Sequence, residues 1–293
     1  MPTPDAKTTA FLGLPLWKRL YGFGDLLSIR ARMVNVFVAG LDRAEVARAL
    51  PTHPLVRLHP KTPLILVHTD FLNLRDDADP DGNDFPAHEV MVAVMLEPTV
   101  GRVPPLFPLI LFVDEPVSIA AGREFHGFPK VLSAIDWRDD GVRVTYEHFP
   151  ARRRASAFCL ETRWTPATPK SDRTRLATGL AALRRAFAPL GLASGARNLE
   201  ELFLGAAGEV WNLRQLPDLA DPRRAALSQL TRFKPTLTDP SSFRVLRGTR
   251  VKLASSGPWP LARFFSAEGP RVLGGFEWEA TMTVRGGDII DSW

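Results

Sequence analysis

The chain of 293 residues is long enough for one large domain or two small ones with a substantial core, since 45% of its residues are hydrophobic and 24% are charged. This composition excludes a disordered chain, collagen and a coiled coil, and no apolar run approaches the roughly 20 residues of a membrane-spanning helix. The net charge of +5 is dispersed, and its one dense patch at 152–154 has no interleaved aromatic side chains, so we expect no nucleic-acid partner.

The cysteine count and the N-terminus bear on the compartment. Cys159 is the single cysteine, which permits neither an internal disulfide nor a cysteine zinc site. The N-terminus has Asp5 and Lys7 ahead of a broken apolar stretch, which is not the order of a signal peptide. We therefore expect a cytoplasmic protein with no membrane partner.

The first half of the chain alternates strand signals with turns. Residues 1–28 mix turn residues with aromatic ones and are predicted to form an irregular N-terminal arm. Met33–Val38 is typical of a strand, and Asp42 then opens a short helix with a capping pattern that ends before Pro51. Three further strands are predicted on either side of an acidic loop at 76–84, in Leu64–Val67, Val90–Leu96 and Leu109–Val113.

The second half begins with a predicted hairpin in Asp136–Tyr146, with its turn at 139–141. Apolar residues then recur at helical spacing in Asp172–Leu190, Leu199–Leu213 and Pro222–Leu230. Strand signals return in Phe243–Leu253 and Phe276–Val284. No linker divides the chain after the arm, so the pattern predicts one α+β domain over 29–293, a β-rich body with a central helical group.

One acidic segment imitates a metal site. Asp77, Asp79, Asp81 and Gly82 match the opening of a calcium-binding loop, but the twelfth position is His88 rather than a bidentate glutamate. We interpret this segment as a solvated turn and predict no metal.

The segment 122–130 is the best candidate for chemistry, because glycines and a proline fix its path and Lys130, one of only seven lysines, ends it. A lysine with an ordinary pKa of about 10.4 is almost fully protonated at pH 7, and removal of water favours the neutral, nucleophilic amine. Lys130 is therefore a candidate imine-forming nucleophile, and the alternative is an ordinary lysine whose stem packs on apolar surface.

The run from Asp114-Glu115-Pro116 through Gly122-Arg123-Glu124 to Gly127-Phe128-Pro129-Lys130 resembles the signature of the acetoacetate decarboxylase family. The resemblance implies that Lys130 forms an imine with a substrate ketone. Ala87-His88-Glu89-Val90 resembles the family strand that bears an active-site glutamate, so Glu89 is predicted to hold or transfer protons. A weaker similarity extends from about 33 to 137, and the end of the chain from 259 to 284 resembles the last strands of longer members.

The resemblance also implies a mainly antiparallel β fold around a closed, cone-like barrel, and assembly into homo-oligomers. It implies no metal and no organic cofactor, because the protonated imine itself serves as the electron sink. The expected partner is a small-molecule keto acid.

Three positions depart from the family pattern. Val131 stands where the decarboxylase has a second lysine that helps to activate the first. A second family carboxylate aligns with about Leu64, and a substrate-binding arginine aligns with Ala31, which leaves Arg30 and Arg32 as the candidates to bind a substrate carboxylate.

Five further side chains are close in sequence to Lys130 or Glu89. Phe128 and Val131 are predicted to make it apolar and to contact substrate. His126 is favoured over His88 for orienting substrate, because His88 points away from Glu89 if that segment is extended. Arg123 is expected to brace the turn rather than to bind substrate.

The sequence therefore predicts a lyase that acts on a keto acid through an imine on Lys130. The chemistry is either decarboxylation of an acetoacetate-like β-keto acid or aldol and dehydration chemistry. One alternative is a non-catalytic binder of a hydrophobic keto or polyketide-like ligand, and another is an interaction scaffold built on residues 172–232.

Overall fold

The computed structural model describes residues 27–76, 85–98, 104–148, 156–165, 209–217, 221, 225–255, 260–266, 269–284 and 288–293. Their strands are β1 (Leu27–Ala39), β2 (Leu64–Asp76), β3 (Phe85–Met95), β4 (Leu106–Val113), β5 (Lys130–Leu132), β6 (Ala134–Arg138), β7 (Gly141–His148), β8 (Ser156–Thr165), β9 (Val210–Pro217), β10 (Ala225–Phe233), β11 (Thr236–Val245), β12 (Arg247–Ser255), β13 (Arg271–Val284) and β14 (Asp288–Ser292). Their helices are α1 (Arg43–Ala49), α2 (Pro116–His126) and α3 (Pro260–Arg263).

The strands form two sheets. The larger sheet has the order β11-β13-β1-β2-β3-β4-β9-β10-β14, and β5 pairs in parallel with β4. The smaller sheet has the order β12-β8-β7-β6. These sheets agree with the predicted β-rich body, while closure of the larger sheet into a cone-like barrel stays a prediction.

Side chains that alternate along β1 build two hydrophobic clusters on opposite faces of the larger sheet. Val34 and Val36 belong to the cluster that includes Val144 and Leu160 of the smaller sheet, which we call the inter-sheet face. Ala31 and Met33 belong to a separate cluster on what we call the second face. A side chain of the larger sheet can therefore contact only groups that lie on its own face of the sheet.

Several predicted elements are confirmed. The strands predicted at 33–38, 64–67, 90–96 and 109–113 correspond to β1 to β4, and all four strands are longer than the sequence indicated, although β3 ends one residue before the predicted end. Asp42 caps α1, since its side chain accepts hydrogen bonds from the backbone N–H groups of Ala44 and Glu45, both at 3.1 Å. The predicted hairpin is formed by β6 and β7, with Arg138 paired to Gly141 across the turn.

The helices predicted around 199–213 and 222–230 are wrong where the structure describes them. Residues 210–217 form β9 and residues 225–233 form β10, and these two strands pair with each other in antiparallel register. Both strands bury residues on two faces, as Trp211 and Asn212 illustrate, so they lack the simple alternation that marks a half-buried strand. The other helical pattern, at 172–190, lies outside the described residues, as do the acidic segment 77–84 and most of the N-terminal arm.

The sequence analysis did not predict α2. Pro116 occupies its first turn, where a missing N–H costs nothing. Gly127 ends the helix with φ of +73°, and its N–H donates to the carbonyl of Arg123 at 3.2 Å. Gly122 inside the helix weakens the sequence signal.

Among the helices that the structure describes, none combines the length and the apolar composition needed to cross a bilayer. The single domain over 29–293, the homo-oligomer and the cytoplasmic location stay predictions.

Candidate active site

Lys130 is held in the interior at the start of β5. It is 8% exposed and pairs with Leu111 of β4, while the next residue pairs with Phe112, a member of the inter-sheet cluster. Lys130 therefore lies on the second face. A lysine so deeply buried needs partners for its amine.

The amine has two polar partners from two other elements. Lys130 Nζ forms an ion pair with Glu89 Oε1 and donates a hydrogen bond to Ser118 Oγ at 2.7 Å. The Ser118 hydroxyl in turn donates to Glu89 Oε1 at 2.7 Å. A buried amine, a carboxylate and a hydroxyl thus form a closed triangle of hydrogen bonds.

Each of the three side chains in the triangle comes from a different secondary-structure element. Glu89 lies in β3 between Ala87 and Met91, which both belong to the second face. Ser118 lies in the first turns of α2, which packs across β5. The side chains of Lys130 and Glu89 are only 9% and 15% exposed, so their attraction is weakly screened.

Gly122 makes room for the lysine. A Cβ built on Gly122 would lie 2.6 Å from Lys130 Cδ and 2.9 Å from Nζ, and closer still to Cε. Helix α2 can therefore lie against the lysine stem only because this position has no side chain.

Aromatic side chains surround the amine beyond the triangle. Lys130 Nζ lies 5.9 Å from the ring centroid of Phe128. The rings of His126 and Phe128 each meet Phe233 edge to face, with centroids 5.0 and 5.4 Å apart. Burial, with a smaller contribution from the Lys130 charge, lowers the pKa of His126 to about 4, so the imidazole is neutral at pH 7.

The structure does not bring Arg30 and Arg32 to the amine. Arg32 Nε donates to Glu277 at 2.5 Å, and its guanidinium stacks over Trp137 of the smaller sheet with its carbon 5.8 Å from the ring centroid. Arg30 pairs with Glu279 at 3.2 Å. Both arginines alternate with Ala31, which faces the second cluster, and so they lie on the inter-sheet face.

The remaining predicted residues lie on several sides of the site. Val131 follows Lys130 and packs against the inter-sheet cluster. His88 points away from Glu89, as alternation predicts, and its Nδ1 lies 2.6 Å from Asp114 Oδ2. That hydrogen bond raises the pKa of His88.

Arg123 lines a groove of about 760 Å³ on the opposite face of α2 from Ser118.

Sequence reasoning missed Ser118. The signal that would have found it is helical spacing, because Ser118, Gly122 and His126 are each four residues apart and so share the face of α2 that meets Lys130. Recognising that face required knowing that 116–126 is a helix.

The arrangement suits nucleophilic attack by an amine with proton transfer by a neighbouring carboxyl group. Among the described residues there is no group of three or more His, Cys, Asp or Glu side chains that could hold a metal ion.

The family model described as acetoacetate decarboxylase matches residues 25–292. Curated protein sequences gave no match.

Three solved structures resemble the chain in fold. One, from structural studies of acetoacetate decarboxylase, has a TM-score of 0.61 at 14% identity and covers 96% of both chains. An acetoacetate decarboxylase-like enzyme from Sphingomonas wittichii RW1 has a TM-score of 0.59 at 18% identity, covering 92% of this chain and 95% of that one. The enduracididine biosynthesis enzyme MppR with bound HEPES buffer has a TM-score of 0.55 at 12% identity and covers 99% of both chains.

Proposed function

Because the chain belongs to the acetoacetate decarboxylase family, we propose that it is a lyase that acts on a keto acid through an imine formed on Lys130. The observation that carries the proposal is the buried Lys130 amine, held between Glu89 and Ser118. An MppR structure has been solved with pyruvate, which supports a keto acid as the substrate class.

The first half of the proposed reaction forms the imine. The Lys130 ammonium passes a proton to the Glu89 carboxylate, and the free amine adds to the ketone carbon to give a carbinolamine. The protonated Glu89 then donates to the departing hydroxyl, water leaves, and a positively charged iminium remains. Ser118 accepts from the amine and donates to Glu89, so it keeps both groups aligned for these transfers.

The second half uses the iminium as an electron sink. In decarboxylation, the bond between the α-carbon and the carboxylate breaks, its electron pair enters the iminium to give an enamine, and carbon dioxide leaves. A proton drawn from solvent through Glu89 is added to the α-carbon, and water releases the ketone from Lys130. In aldol chemistry, an α-proton leaves instead of carbon dioxide, and the enamine carbon attacks an aldehyde.

The surroundings support this chemistry. The second face around the amine is lined by apolar side chains, including Met91, Phe128 and Phe233. A site with little water makes the attraction between the iminium and Glu89 stronger than it would be in solution. The same apolar surface suits the non-catalytic binding of a hydrophobic keto ligand, so the test must detect the covalent bond itself.

The proposal is tested by trapping the imine. The protein is incubated with acetoacetate or pyruvate and sodium borohydride, and its intact mass is measured. We expect a reduced adduct that peptide mapping places on Lys130 and that disappears in Lys130→Ala. Lys252→Ala, which removes an exposed lysine, is the matched control and should keep the adduct.

The outcomes separate the alternatives. Carbon dioxide release from acetoacetate, together with the adduct, identifies decarboxylation, whereas an adduct without carbon dioxide favours aldol chemistry. If no keto acid in a wider panel yields an adduct on Lys130, the imine mechanism is refuted and the non-catalytic binder takes its place.

A further inference from the structure

Several buried polar atoms near the C-terminal end of α2 have no hydrogen-bond partner among the residues that the structure describes. They are His126 Nδ1, Arg214 Nε and both side-chain amide atoms of Asn212, a residue that is only 1% exposed. Buried polar groups in proteins are nearly always paired, so a cluster of unpaired ones offers hydrogen-bonding capacity to a polar ligand.

The backbone brings these three residues together. Asn212 and Arg214 are two positions apart in β9, so their side chains leave the strand on the same face. Asn212 pairs with Thr231 of β10, whose hydroxyl donates to the carbonyl of His126 at 2.8 Å. Arg214 packs against the end of α2, since a Cβ on Gly127 would lie 2.8 Å from Arg214 Cβ.

Arg214 also has no carboxylate partner within the described part of the chain. Arg214 Nη1 donates a hydrogen bond to the uncharged Gln229 Oε1 at 3.2 Å. No carboxylate of the described residues forms an ion pair with Arg214. The negative end of the α2 dipole favours a nearby cation, but the hydrogen bond described for the Arg214 guanidinium goes to Gln229 and not to an α2 carbonyl. Arg30 and Arg32, by contrast, are each neutralised by a glutamate.

This cluster lies beside the imine site. Phe128 contacts both places, because its ring centroid is 5.9 Å from Lys130 Nζ and because Phe128 and Arg214 line the same groove. The ring thus borders both the amine and the guanidinium, and a substrate that reaches both would lie along it.

We propose that Arg214, assisted by Asn212 and His126, binds a carboxylate that the substrate keeps throughout the reaction. The proposal rests on the proposed imine function and names its substrate class, an oxo acid whose carboxylate is several carbons away from the ketone. The Arg214 and Asn212 side chains offer N–H donors to the carboxylate oxygens, and His126 adds one when its proton is on Nδ1. A guanidinium stabilises a carboxylate and so opposes its loss, which is why the bound carboxylate is not the one that would leave as carbon dioxide.

The test compares oxo acids with neutral ketones of the same length. Trapping by borohydride is measured against concentration for 4-oxopentanoate, 5-oxohexanoate and 6-oxoheptanoate, and for 2-pentanone, 2-hexanone and 2-heptanone. We expect at least one oxo acid to reach half-maximal trapping at a concentration about tenfold or more below its neutral counterpart. In Arg214→Gln that preference should vanish, so that the oxo acid and its neutral counterpart are trapped at similar concentrations, and Arg214→Lys should keep part of the preference.

Controls keep this result separate from the imine proposal. Arg263→Gln, at an exposed position in α3, should retain the full preference, and thermal unfolding should show that the Arg214 variants are folded. If no ketone is trapped, the imine function fails, but calorimetry with hexanoate still decides whether Arg214 binds a carboxylate. Equal trapping of acids and ketones across the series, or a preference that survives Arg214→Gln, overturns the proposal.

Discussion

Gly122→Ala should separate the reactivity of Lys130 from the stability of the fold. The added Cβ would lie 2.6 Å from Lys130 Cδ, whereas ordinary contact begins at 3.4 Å, so that carbon must retreat by about 0.8 Å and Cε by more. The amine at the end of the stem then leaves its position between Glu89 and Ser118. Misplacement of a reacting group by about 1 Å can cost roughly 100-fold in rate.

The effect on stability should be small. Crowding in a packed interior costs roughly 1–3 kcal/mol, but alanine is favoured over glycine inside a helix by about 1 kcal/mol. The lysine stem is also flexible, so part of the crowding is relieved by its movement. We therefore expect the free energy of unfolding to change by no more than about 2 kcal/mol.

The assay measures the rate of imine trapping on Lys130 by intact mass, with urea unfolding of the same samples. Gly127→Ala is the contrasting variant, because its φ of +73° and a Cβ 2.8 Å from the backbone nitrogen of Arg214 leave nothing flexible to yield. That variant should lose roughly 2 kcal/mol or more of stability. If Gly122→Ala traps ketones at the wild-type rate, the placement of the amine against α2 does not control its reactivity and our account of the site is refuted.

Three further predictions concern the same site. Ser118→Ala should slow trapping on Lys130 by roughly tenfold or more, because a hydrogen bond to a charged group is lost, and unchanged trapping would remove Ser118 from the mechanism. Glu89→Gln should slow trapping by roughly 100-fold, because an amide cannot exchange the proton, whereas the surface variant Glu45→Gln should match the wild type. The pKa of His126, about 4 when folded against 6.5 unfolded, means that protonation favours the unfolded chain and that stability falls as the pH drops through this window. Buried His68, whose pKa is also lowered to about 4, adds a loss of its own. Urea unfolding at pH 7 and 5 should therefore show a loss that is smaller by about 2 kcal/mol in His126→Phe than in the wild type, and an equal loss in the two proteins would contradict the assignment.

The sequence was most informative where local rules act alone. Asp42 and its neighbours specify a helix start, and the alternating residues of β1 specify two faces, because both depend on side chains a few positions apart. The turn at 139–141 likewise fixes a hairpin whose strands are adjacent in the chain. Such features need no knowledge of distant partners.

The sequence-based prediction failed for β9 and β10, because residues on both faces of these strands are buried and no simple alternation of polar and apolar residues marks them. Trp211 and Asn212 are adjacent in β9 and both buried, a pattern compatible with either a strand or a buried helix. Their pairing with β10 and β4 decides the outcome, and those contacts join segments up to 104 residues apart, as between Leu106 and Val210.

The sequence by itself determined the strand-rich character of the chain and, through a resemblance, the two residues that meet at the site. Lys130 and Glu89 are 41 positions apart, and the structure brings them into contact. Only the tertiary structure decided that Ser118 completes the triangle and that Arg30 and Arg32 turn to the inter-sheet face. It also decided that Arg214 has no carboxylate partner among the described residues. The physical reason is that a side chain's partner depends on which faces of strands and helices pack together. Those faces come from segments far apart in the chain, and the local sequence around a residue does not specify their packing.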